Sequence, residues 1–191
     1  MMLYLHGFRS SPQSYKARVV AQKMAALGRA DELACPQLPA SPKAAMALAL
    51  DLAGGVPANE LAIVGSSLGG YYATWLAEKL GCRAVLLNPA VAPLDRLEQH
   101  VGVTTAWHSD QPFEFRREYI DELRALAVDK ITRPERYFLI AATGDEVLDY
   151  RAMVAHYAGA RQVVIEGSDH ALSEFADYAD DVLAFCLPAA R

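Results

Sequence analysis

The sequence predicts an α/β protein: a doubly wound, mostly parallel sheet of about six strands in a single domain, residues 1–191. Three observations carry this. Short apolar runs recur along the chain, and most are continuous rather than alternating, the pattern of strands buried on both faces. Amphipathic or alanine-rich stretches separate them, giving a βα repeat with right-handed crossovers. Finally, 191 residues are enough for one core and too few for two ordinary domains.

The elements follow in order. Leu3-Tyr4-Leu5 is the first run. Met1 to His6 lacks a basic region, a full hydrophobic segment and a cleavage site, so it reads as a strand rather than a signal peptide. Tyr15, Val19, Met24 and Leu27 predict a helix ended by Gly28. Residues 33 to 38 form a weaker strand, and the alanine-rich stretch 42 to 53 is helical by propensity. Leu61 to Val64 and Ala84 to Leu87 are the third and fourth strands, with a helix over Tyr71 to Leu80 between them. About forty residues, 92–133, then separate the fourth strand from the fifth, longer than a helical crossover needs and read as an insertion or small lid. Phe115, Tyr119, Ile120, Leu123 and Leu126 predict a helix inside it. Tyr137 to Ala142 and Val163 to Ile165 are the last strands. Leu172, Phe175, Ala179, Val182 and Cys186 lie on one face of a final helix stopped by Pro188.

Composition narrows the function. The net charge is −5 and the pI near 5.5, which argues against a nucleic-acid partner needing a basic face. Cys35, Cys82 and Cys186 are far apart, which suits free thiols and a reducing compartment, with the cytoplasm as the default address. The five histidines add no zinc-ligand spacing, so no metal or other cofactor is expected. No apolar run approaches membrane-spanning length.

The motif that carries chemistry is Gly65-Ser66-Ser67-Leu68-Gly69-Gly70, between an apolar strand and a helix. That is the setting of a nucleophile elbow, a strained turn that lifts a serine hydroxyl above the carboxyl edge of a sheet. Only Ser67 has glycine at both required offsets. Ser66 takes a packing role. The Walker lysine of a phosphate loop is absent. A serine hydroxyl needs a base, and in this arrangement the chain order is serine, acid, histidine. His170 follows the last strand and is the expected base. Asp145, after Gly144 at the end of the fifth strand, is the expected acid. Asp149 competes for that role but suits an N-cap, Glu146 is one residue further on, and Asp169 suits a turn. An oxyanion hole would use the backbone N–H groups of Leu68 and Phe8, with Gly7 holding the latter. His6, Gly7, Trp107 and Phe113 are candidate substrate contacts, although His6 suits a core histidine that braces the loop.

These segments resemble the YqiA-like esterase family, small bacterial α/β-hydrolases without a large cap domain. The resemblance rests on Leu3 to Pro12, Gly65 to Thr74, Leu87-Asn88-Pro89-Ala90, Gly144 to Tyr150 and Asp169-His170, in that order over nearly the whole chain. The chain departs from the pattern around Val103 to Phe113 and in the histidine loop, Gly-Ser-Asp-His-Ala-Leu. The resemblance implies an α/β-hydrolase fold, Ser67, Asp145 and His170 as the triad, and hydrolysis of acyl esters or thioesters. The alternatives are an acyl-CoA thioesterase and, from another class, a non-catalytic hydrolase-like binding module.

Overall fold

The computed structural model describes residues 1–105 and 112–187. Trp107 and Pro188, both named above, lie outside the described residues. The main sheet contains β1 (Met2–Leu5), β2 (Leu33–Ala34), β3 (Ala62–Ser66), β4 (Arg83–Leu87), β7 (Tyr137–Ala142) and β8 (Arg161–Ile165). The strand order is β2-β1-β3-β4-β7-β8 and every pairing is parallel. This is the doubly wound six-stranded sheet expected from the apolar runs.

Side chains alternate across the sheet with period two, and both faces are covered. Met2, Tyr4, Val64, Val85 and Ile140 meet α1 (Tyr15–Ala26) and α7 (Phe175–Cys186) through Val20, Met24, Ala179 and Val182. Leu3, Leu5, Ile63, Leu86 and Leu139 face the opposite layer, formed by α2 (Pro42–Leu52), α3 (Leu68–Leu80), α5 (Glu118–Arg124) and α6 (Tyr150–His156). Two apolar faces explain why the central strands read as unbroken hydrophobic runs.

The insertion contains α4 (Leu94–Glu98), an antiparallel hairpin of β5 (Gly102–Thr105) and β6 (Pro112–Phe115), and α5. Phe115, expected on a helix, is on β6. Residues 112–115 alternate in exposure, with Phe113 and Phe115 turned inward and Pro112 and Glu114 outward, so the period is that of a strand. Leu172 is also outside its predicted helix, with φ of 52° in the turn before α7.

The chain reverses its winding between β1 and β3: β2 pairs on one side of β1 and β3 on the other. The loops leaving these two strands part there, which makes the carboxyl edge at this point the natural crevice of such a sheet. Both loops carry predicted site residues.

Candidate active site

The strand β3 ends in a sharp turn and α3 begins at once with Leu68. Ser67 has φ of 55° and ψ of −121°, a strained conformation for a residue with a side chain. The turn closes tightly. A Cβ on Gly65 would sit 2.2 Å from the Gly69 carbonyl oxygen, and one on Gly69 would sit 2.0 Å from the Leu5 carbonyl oxygen. Only glycine fits at either position, which is the physical content of the motif. Ser66 is buried at the end of β3, away from the hydroxyl role.

The fold brings Ser67, His170 and Asp145 together. His170 Nε2 lies 3.0 Å from Ser67 Oγ, and its Nδ1 lies 2.8 Å from Asp145 Oδ2. The Asp145 side chain is fully buried, and its Oδ1 accepts the N–H groups of Val147 and Leu148, each at 2.8 Å. Burial works against the Asp145 charge, but the hydrogen bond from His170 and the two backbone donors outweigh it, holding the carboxyl below the ordinary carboxylate range. An ionised Asp145 makes Nδ1 the protonated nitrogen of the imidazole and leaves Nε2 free to accept from the serine hydroxyl.

The competing carboxylates have other partners. Asp149 caps α6, its Oδ1 accepting from Arg151 N–H at 2.9 Å. Asp169 accepts from the Ser173 N–H and hydroxyl and so shapes the turn behind His170. Glu146 reaches back to the histidine loop, where its Oε2 accepts the His170 backbone N–H at 3.0 Å. That tie was not foreseen, since its partner is far away in the chain.

The loop after β1 passes beside Ser67: a Cβ on Gly7 would lie 3.2 Å from Ser67 Cβ. The N–H groups of Phe8 and Leu68 have no acceptor among the described residues. His6 is buried. Its Nδ1 is 2.9 Å from the Gly7 carbonyl oxygen, and its Nε2 accepts the Leu38 N–H at 3.0 Å. Burial lowers its pKa, so the ring is neutral; Nδ1 holds the adjacent Gly7 carbonyl within the loop, and Nε2 ties this loop to the loop carrying Leu38. His6 thus braces the loop, and it also borders the cleft described next.

Beside Ser67 is a cleft whose apolar side is formed by Phe8, Leu38, Pro39, Leu68, Tyr72 and Phe113. Phe113 comes from the hairpin and meets the Phe8 ring edge to face at 5.2 Å; Phe115 meets it at 5.1 Å. Tyr72 and Leu38 were not predicted. Tyr72 could have been found as a large residue in the first turns of the helix behind the elbow. Among the described residues no group of three His, Cys, Asp or Glu side chains is arranged to hold a metal, and the three cysteines are free. No described helix is long and apolar enough to cross a membrane.

Comparison with solved structures defines the class: the α/β-hydrolase fold, with the six-stranded parallel sheet and no large cap. Est1E of Butyrivibrio proteoclasticus, solved with ferulic acid bound, superposes with a TM-score of 0.69 at 17% identity, covering 96% of this chain and 87% of that one. Mouse alpha/beta hydrolase domain-containing protein 10 gives 0.70 at 16% identity, covering 96% and 89%. A metagenome-derived lipolytic enzyme of the LipS and LipT pair gives 0.72 at 18% identity, covering 97% and 92%. More particularly, the chain matches the uncharacterised protein family UPF0227 over residues 1–187 and belongs to that family.

Proposed function

We propose that this protein is a serine esterase that hydrolyses carboxylic esters through an acyl-enzyme. One observation carries the reading: a serine on a strained elbow, an imidazole and a buried carboxylate form a continuous relay of 3.0 and 2.8 Å. Ser67 Oγ attacks the ester carbonyl carbon as His170 Nε2 takes its proton. The negative charge that develops on the carbonyl oxygen is received by the N–H groups of Phe8 and Leu68, which have no other acceptor among the described residues. The carbon–oxygen bond to the leaving group breaks and His170 protonates that group. Water then attacks the acyl-enzyme by the same route and releases the acid. Asp145 transfers no proton; it holds the imidazole tautomer and stabilises the imidazolium. The acyl group sits against Phe8, Leu68, Tyr72 and Phe113, and the hairpin of the insertion acts as a small lid over Phe8.

The test is labelling with a fluorophosphonate, which requires an activated serine. Wild type should label at Ser67 and Ser67→Ala should not. A wild-type protein that stays unlabelled, or a variant that labels equally, overturns the proposal. Turnover of a graded series of esters and acyl-CoA thioesters then separates an esterase from a thioesterase.

A further inference from the structure

One turn touches all three carriers of the relay and takes no part in the chemistry above. Residues 87–90, Leu-Asn-Pro-Ala, follow β4, the strand between the nucleophile strand β3 and the acid strand β7. Toward the nucleophile, the Leu87 carbonyl accepts the Ser67 N–H at 3.1 Å, and the Ala90 N–H donates to the Ser67 carbonyl at 3.0 Å. Toward the acid, the Asn88 N–H donates to the Ile140 carbonyl at 2.9 Å, and Asn88 Oδ1 accepts the Ala142 N–H at 2.9 Å, just ahead of Asp145. Toward the base, Asn88 Nδ2 donates to the carbonyls of Asp169 at 3.0 Å and His170 at 3.3 Å. Asn88 is wholly buried, with φ of 43°, a left-handed conformation that asparagine tolerates better than most side chains. Its oxygen faces a donor and its nitrogen faces two acceptors, so the amide has one orientation.

A second side chain grips the same loop from the other side. Lys16 of α1 is buried, and its Nζ donates to the Ala171 carbonyl at 2.6 Å and to the His170 carbonyl at 3.4 Å. The His170 carbonyl is therefore held by Asn88 and Lys16 together. A buried ammonium persists only where its donors are used and charge is compensated, and Asp169 and Asp145 are its charged neighbours.

We propose that Asn88 is the positioning residue of this site, with Lys16 as its second clasp. The two set the height of the histidine loop so that both imidazole nitrogens meet their partners at once. Neither side chain contacts the reacting atoms. The inference rests on reading Ser67, His170 and Asp145 as a catalytic triad.

The experiment compares wild type with Asn88→Ala, Lys16→Met and Lys16→Arg. Readouts are kcat and KM on a short-chain p-nitrophenyl ester, the fluorophosphonate inactivation rate, and the low-field proton resonance of the His170 Nδ1–H. An ångström of misplacement is enough to cost about 10²-fold in rate. The expected result for Asn88→Ala is a fall in kcat of about that size with KM little changed, and an upfield shift or loss of the His170 resonance. Lys16→Met should show a smaller fall of the same kind, with recovery in Lys16→Arg. A folded Asn88→Ala with wild-type kcat and an unmoved resonance overturns the inference. If Asn88→Ala does not fold, Lys16→Met decides in the same way. A wild type that neither labels nor turns over ester refutes the triad reading instead, and the resonance still tests whether the clasp positions the imidazole.

Discussion

At the scale of the residue, environment sorts carboxylates that look alike in sequence. Asp145, Glu146 and Asp149 lie within one short segment, yet only Asp145 has a buried side chain facing an imidazole. Asp149 points to the first turn of α6 and satisfies one of its free N–H groups. The two therefore separate cleanly by substitution. Asp145→Asn removes the charge that selects the tautomer, and kcat should fall by about 10⁴-fold. Asp149→Ala should leave kcat unchanged and cost about 1 kcal/mol of stability, read from the urea midpoint. A loss of turnover in Asp149→Ala instead would reassign the acid.

At the scale of the element, a polar cluster at the opposite edge of the sheet fastens α3 to β7. Glu78 of α3 accepts from the Thr132 N–H at 3.2 Å, the Thr132 hydroxyl at 2.6 Å and the Tyr137 hydroxyl, with Arg136 at 3.5 Å. Burial opposes the Glu78 charge, but these donors and Arg136 prevail and keep its carboxyl below the ordinary range. A depressed carboxylate contributes stability that is present above its unfolded pKa and disappears as pH falls through the folded value. Glu78→Gln should therefore lower stability at neutral pH by about 1–3 kcal/mol, the scale of hydrogen bonds to a charged group. The gap from wild type should close in acid. Denaturant titrations at neutral and acid pH check both halves, and a gap that persists unchanged in acid would refute the electrostatic account. The helix so fastened is the one that carries the elbow, so this remote cluster supports the site mechanically. The hairpin is the other informative element. Its two phenylalanines pack on Phe8, which links the insertion to the loop after β1.

At the scale of the whole molecule, pH acts on stability in two windows, one acid and one alkaline. Asp145 and Glu78 lose their contributions in acid. Lys16 acts in the same direction but in the alkaline range. Burial, only partly offset by Asp169 and Asp145, lowers its ammonium from 10.5 to about 8. Between those values the unfolded chain binds the extra proton, so stability should rise with pH across the window. Lys16→Met should lack that rise, and thermal midpoints of both proteins between about pH 7 and pH 11 measure the difference. Parallel curves would count against a buried charge at this position. The same long-range contacts explain what could and could not be read in advance. The strands, the elbow and the chain order of Ser67, Asp145 and His170 were legible because each follows from local pattern: apolar runs, glycines at two offsets, a position after a strand. The hairpin was not, because four-residue strands around Phe113 and Phe115 resemble one face of a helix until their pairing is known. Asn88 stood in a quoted motif without a role, since its partners Ala142, Asp169 and His170 are remote in sequence. Lys16 carried no local mark either, since the carbonyls it holds, those of His170 and Ala171, lie in a distant loop. The order of the amino acids thus determined which elements form and where the reactive groups fall along the chain. Which carboxylate meets the imidazole, and which buried donors hold the histidine loop, were decided only when the sheet brought distant strand ends to one edge, because hydrogen bonds act over about 3 Å of space and carry no mark in local sequence.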